Sequence, residues 1–224
     1  MAVAARTWAR PGMTTKPTRY HHGDLKAALI KSAAAMLEEE GPEAISFRAI
    51  ARAVGVSQTA PYNHFRSKEH LLATLAASGF RELLSREIEA GKRARTPATR
   101  IVKLGCAYVG FARTHPQLYR LMFGVGILDW RTYPELAEAA HASYAPVVEA
   151  LAAHLGVAEG ADASVETASI TAWALVHGLS MLLIDNKIDS AKIGPGGVEA
   201  LTERVTSSIV TGFASQMSRS LPRT

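Results

Sequence analysis

Between Ser46 and Lys68 the sequence SFRAIARAVGVSQTAPYNHFRSK gathers side chains whose donors and acceptors suit nucleic acid. Gln58, Thr59 and Asn63 carry amide and hydroxyl groups that pair with base edges in a major groove. Ser46, Arg48, Tyr62, His64 and Lys68 suit phosphate oxygens, contacts that fix position without reading sequence. Ala60 offers only a methyl group, which meets a thymine methyl or nothing. Such groups read bases only from an element slim enough to enter a groove.

The same stretch supplies that element. Phe47, Ile50, Ala51 and Val54 recur at i, i+3, i+4 and i+7, the apolar stripe of a short helix. Ser46 stands before the stripe as an N-cap, and Gly55 follows it where a left-handed residue closes a helix. After the single apolar plug Val56, Ser57 is placed to cap a second helix running to about His64. Two short helices joined by a glycine-containing turn form a helix-turn-helix. Pro61 lies inside the second one, removing an N–H near its first turn, which a short or 3₁₀-like start absorbs. Phe65 is a core residue between this element and the next helix.

The run GPEAISFRAIARAVGVSQTAPYNHFRSKEHLL resembles the DNA-binding domain of the TetR family of transcriptional regulators. Gly41 ends a first helix, Ser46 opens the second, and Gly55-Val56-Ser57 makes the turn. Tyr62-Asn63-His64-Phe65 and Ser67-Lys68 complete the pattern. Farther on, Trp173-Ala-Leu-Val-His177-Gly178 resembles the W-x-x-x-H-G signature of one class of C-terminal domain in that family. The resemblance implies an all-α chain, with a three-helix helix-turn-helix DNA-binding domain followed by a larger helical ligand-binding and dimerisation domain. It also implies that the helix opening at Lys68 links the two and carries ligand occupancy to the DNA-binding end.

Charge agrees with two unlike ends. Residues 1–100 hold 16 Lys and Arg against 9 Asp and Glu, whereas residues 101–224 hold 9 against 11. A basic half points to nucleic acid and a near-neutral apolar half to another partner. Residues 1–19, with Arg6, Arg10, Lys16 and Arg19 and no acid, read as a flexible basic arm for a minor groove. An idle terminus, or an upstream start with Met13 as the natural first residue, is the alternative. Cys106 stands alone, which excludes an intrachain disulfide framework and suits a reducing cytoplasm.

Helices are expected over Asp24–Glu40, Lys68–Ala90, Ala98–Thr114, Pro116–Phe123, Pro134–Leu155, Ala163–Ile184 and Val198–Met217, separated by Gly and Pro. The division expected is 1–19 as arm, 20–66 as DNA-binding domain and 67–224 as ligand-binding and dimerisation domain. Glu38-Glu39-Glu40 reads as a solvated face. Thr167–Ile184 carries no formal charge but is short for a bilayer core and holds His177 and Gly178, so a helix buried on nearly all sides in a soluble protein is expected. By the family pattern, helices 163–184 and 198–217 pair with those of a second copy, giving a homodimer on a palindromic duplex operator. Small residues Ala168, Ala172 and Gly178 allow that approach.

Tyr108, Phe111, Tyr119, Met122, Phe123, Trp130, Tyr144, Trp173, His177 and Met181 are candidates to line a cavity for an apolar or aromatic effector. Each taken alone reads equally as core, and His177 as either a satisfied core histidine or a polar anchor. No phosphate-cradling glycine loop, nucleophile elbow or zinc-binding H-E-x-x-H is present, so no catalytic residue, metal or cofactor is assigned. His21 and His22 lack a third ligand at usable spacing. The function expected is a sequence-specific regulator, a repressor released by a small molecule. The alternatives are a regulator without effector, an activator and, last, a helical enzyme.

Overall fold

The computed structural model describes residues 22–124, 129, 131–157 and 163–220, and among them the chain is all-α. The basic arm, His21, Trp130 and Gly126 lie outside the described residues. Helix α1 spans His22–Glu40, α2 Phe47–Val54, α3 Lys68–Gly91, α4 Pro97–Thr114 and α5 Pro116–Phe123. They are followed by α6 Pro134–Leu155, α7 Ala163–Ile184, α8 Ser190–Ile193 and α9 Gly197–Ser220. The four-residue α8, capped by the Asp189 carboxylate on the Ala191 N–H at 2.9 Å, is an element the apolar pattern is too brief to announce.

Helix α2 begins and ends as its sequence dictates. The Ser46 hydroxyl accepts the Ala49 N–H at 3.2 Å, and Gly55 turns left-handed at φ 78°. Val56 N–H reaches the Ala51 carbonyl at 2.9 Å and Gly55 N–H the Arg52 carbonyl at 3.2 Å, the two bonds of a Schellman closure.

The element after the turn differs from expectation. In place of a helix from Ser57 to His64 there is one 3₁₀ turn, Ala60–Asn63. Pro61, itself buried, has no N–H to give to an α-helical ladder, and proline disfavours the α conformation in the residue before it. Ser57 does not cap it by side chain; its hydroxyl lies 3.1 Å from that of Thr59 while its carbonyl accepts the Ala60 N–H.

Helix α3 is capped by Ser67 on the His70 N–H at 3.2 Å, and the His70 Nδ1 accepts the Arg66 N–H at 3.2 Å in return. It buries Leu72, Ala76, Phe80, Leu83 and Glu87 along one side. Ile88 is 48 % exposed, because the i, i+3, i+7 progression from Phe80 and Leu83 lands on Glu87 instead. One apolar cluster runs from Leu29, Phe47 and Phe65 through Leu75 and Phe80 to Tyr119, Leu136 and Val176, so head and body share a continuous core. A second cluster, around Ile101, Leu151, Val165 and Ala168, lies among α4, α6 and α7.

Glu38 departs from the expected solvated face. Its carboxylate accepts the Gln117 N–H at 3.1 Å and the Leu118 N–H at 3.0 Å, capping α5 from α1. Those are orphan donors of a helix start, where a negative charge also meets the positive end of the dipole.

Candidate DNA-reading head and ligand cavity

Around the 3₁₀ turn, Gln58, Thr59, Tyr62 and Asn63 are exposed, with Tyr62 at 65 %, and Ala60, His64 and Lys68 are half-buried. Ser46 and Arg48 are exposed at the start of α2. The candidate readers and phosphate holders therefore border one short segment. The platform beneath is aromatic: Phe47 meets Tyr62 edge-on at 4.8 Å, and Phe65, 1 % exposed, lies 6.4 Å from Phe47 and 6.0 Å from the His70 ring. Ser46 accepts the Ala49 N–H with one lone pair, so its hydroxyl hydrogen stays free to donate to a phosphate oxygen at this helix N-terminus.

In the body a cavity of about 310 Å³ lies among α3, α4, α5, α6, α7 and α9. Its wall includes four of the expected residues, Tyr108, Phe123, Tyr144 and Trp173. Phe111, Tyr119, Met122, His177 and Met181 do not line it. Phe111 is fully buried under the Arg86 guanidinium, 5.5 Å from its ring, and Met122 sits against the backbone of Gly79. Met181 packs on the main core. Being aromatic or flexible and buried does not select the cavity, because the helices turn such residues toward several interfaces.

Tyr119 and His177 form the layer behind the wall. The Tyr119 Oη lies 2.7 Å from His177 Nδ1 and 3.0 Å from Tyr108 Oη, and the Trp173 Nε1–H donates to Tyr108 Oη at 3.2 Å. Burial lowers the His177 pKa, which favours a neutral ring able to accept a hydroxyl hydrogen, and burial pushes the Tyr119 phenol up to about 12. Of the two readings of His177, the geometry matches a satisfied histidine that braces the wall.

Glu87 is the wall residue that sequence reasoning passed over. It is 5 % exposed, and its Oε2 has no hydrogen-bond partner among the described residues. Burial alone raises its carboxyl from an ordinary 4.5 to about 8. The signal was present: a glutamate in step with Phe80 and Leu83 on the apolar face of α3. Between pH 4.5 and 8 the folded protein keeps a proton that the unfolded chain has lost, so Glu87 makes stability fall as pH rises through that window. Glu87→Gln is expected to flatten this fall in thermal midpoints, and an unaltered pH profile would contradict the burial. Among the described residues no three of His, Cys, Asp or Glu gather as a metal would require.

A helix-turn-helix head carried on one long helix into an all-helical body with an apolar cavity defines a DNA-binding transcriptional regulator. Residues 29–75 match the family described as bacterial regulatory proteins, tetR family, and residues 101–209 match a tetracyclin repressor-like C-terminal domain. The chain belongs to the TetR family. Among solved structures it is similar to a protein of unknown function from Rhodococcus sp. RHA1, at 29 % identity over 89 % of this chain and 98 % of that one, TM-score 0.71. The TetR family transcriptional regulator PfmR from Thermus thermophilus is 20 % identical over 82 % and 97 % of the two chains, TM-score 0.59. The regulator FadR from Bacillus subtilis, solved in complex with stearoyl-CoA, is 16 % identical over 84 % and 98 %, TM-score 0.65. No curated protein matches the chain.

Proposed function

We propose that this regulator is a homodimeric repressor that leaves a palindromic operator when a small molecule enters the cavity. The observation that carries this reading is α3, which starts at the half-buried Lys68 beside the reading turn and delivers Phe80, Leu83 and Glu87 to the cavity wall. One rigid element thus touches both ends. Gln58, Thr59 and Asn63 read bases, Ala60 lies beside them, and Ser46, Arg48, Tyr62, His64 and Lys68 hold phosphates. Residues 20–66 act as the DNA-binding unit and 67–224 as the ligand-binding and dimerising unit. Trp173, His177 and Gly178 make the W-x-x-x-H-G element of the C-terminal class, with Trp173 at the wall and His177 behind it.

Glu38 adds a second route. Helix α5 carries Phe123 into the wall and hangs from α1 by its two capped N–H groups. A ligand that displaces Phe123 pulls on α1 while it pushes on α3. The release energy is the difference in ligand affinity between the DNA-bound and released arrangements, typically about 1–3 kcal/mol in coupled systems.

Dimerisation uses α7 and α9. Helix α7 has the length and composition of a membrane span, yet only about a third of that stretch is buried. Ile170 and Leu182 are 52 % and 47 % exposed on it, an apolar face that a second copy covers in a cytoplasmic regulator.

The test is salt-dependent binding to duplex DNA by anisotropy. Lys68→Ala is expected to weaken binding to all sequences and to reduce the slope of log affinity against log salt by about one. A slope equal to that of the unaltered protein would remove Lys68 from the phosphate contacts.

A further inference from the structure

We infer that the cavity, if it is the ligand site just proposed, selects an organic cation: an apolar or aromatic body bearing one ammonium-type nitrogen that docks on Glu87. Among the described lining residues Glu87 is the only carboxyl group, and no Lys or Arg joins it. The other polar groups of the wall are largely spent. The hydroxyl of Ser143 donates to Ala140 and that of Thr206 to Thr202, each on its own helix. Tyr108 takes the Trp173 N–H. Glu87 Oε2 bonds to nothing, and a buried polar atom without a partner costs free energy until one arrives. A structural role does not explain the residue, since the carboxyl holds no other group in place.

Two neighbouring features favour positive charge at that spot. Glu87 lies one turn before Gly91 at the end of α3, where the carbonyl end of a helix attracts cations. Phe80, Tyr108, Phe123 and Trp173 present rings to the cavity, and ring faces attract ammonium groups. An anionic ligand would meet no Lys or Arg among the described lining residues, and an uncharged hydrocarbon would leave Oε2 as it stands.

Binding carries a proton signature. The protonated carboxyl loses its hydrogen to solvent as the cation arrives, the O–H electron pair staying on the carboxylate to face the nitrogen. Facing Glu87 from α4 is Tyr108, kept protonated by burial and further disfavoured from ionising by Glu87 itself. From α6 come Tyr144, its phenol also raised by burial, and the exposed His141 at the rim. The wall residues from α7 and α9 carry no titratable group. Arg100, which approaches the end of α3 at Gly91, is held by Glu149 at 2.8 Å.

The experiment is calorimetric titration of the protein with the phenylbutylammonium ion, phenylbutanol and phenylbutyrate. The ammonium compound is expected to bind at least about tenfold more tightly than the alcohol, with the carboxylate weakest. Its affinity rises with pH up to about 8 and then levels off, a slope that persists in His141→Gln. Glu87→Gln loses the slope and about tenfold in affinity for the cation, while its affinity for the alcohol changes by less than about threefold. Should Glu87→Gln fail to fold, the slope in the unaltered protein decides. Equal or tighter binding of the alcohol or the carboxylate, or a cation affinity indifferent to pH and to Glu87→Gln, overturns charge selection while leaving the cavity as a ligand site. Failure of all three probes to bind overturns both.

Discussion

Phe65→Ala is expected to lower unfolding stability by about 3–5 kcal/mol, the range for removing a large aromatic side chain from a closed core. Phe65 is 1 % exposed and joins the two halves of the reading apparatus. It follows the 3₁₀ turn directly and packs on Phe47 from α2 and on the His70 ring from α3. The cavity left behind cannot collapse cheaply, because the Ser67 cap and the Gly55 closure fix the chain on both sides. Tyr62, which stands on the same Phe47 ring, loses its support. Denaturant titration measures the first effect, and anisotropy with any duplex measures a loss of affinity that does not depend on sequence. A stability within a few tenths of a kcal/mol of the parent would show that Phe65 is not the centre of the head.

Glu38→Ala comes next in size, at about 1.5–3 kcal/mol. One charge-assisted hydrogen bond is worth about that much, and at this half-buried carboxylate water takes over part of what the two α5 donors lose. The distinguishing measurement is amide exchange. Gln117 and Leu118 are expected to lose protection in the variant, while the Ala49 N–H, capped by Ser46 within the head, keeps its own. Glu38→Gln retains an acceptor without the charge and falls between. Unchanged exchange at Gln117 and Leu118 would dissolve the proposed strap between α1 and the cavity wall.

These two residues mark what the sequence discloses and what it withholds. Phe65 was legible because local rules agree around it: a capped stripe, a glycine closure, a proline and a serine cap each specify backbone within a few residues. The same rules misjudged the reading element only in degree, giving a longer helix where Pro61 permits a single 3₁₀ turn. Glu38 was illegible because its partners are the Gln117 and Leu118 N–H groups, some eighty positions away. Backbone donors leave no mark in a residue pattern, so three adjacent glutamates looked like a solvated face.

The cavity stands between these cases. Tyr108, Phe123, Tyr144 and Trp173 reach its wall, but Phe111 and Met122, equally apolar, turn to other interfaces, since helix rotation decides which side of a stripe meets empty space. Glu87 did carry a signal, an acid in phase with Phe80 and Leu83. Only the packing of α4 and α6 over it distinguishes a buried carboxyl from an ordinary surface one.

On the proposed reading, two copies of a short exposed reading turn, set on paired helical bodies, recognise one duplex site. Selection of bound duplexes from a random pool tests it most directly. The expected result is an enriched palindrome whose half-sites lie about one helical turn apart, bound by two protomers together. Recovery of no common sequence, or of a single asymmetric site held by one protomer, would contradict the account.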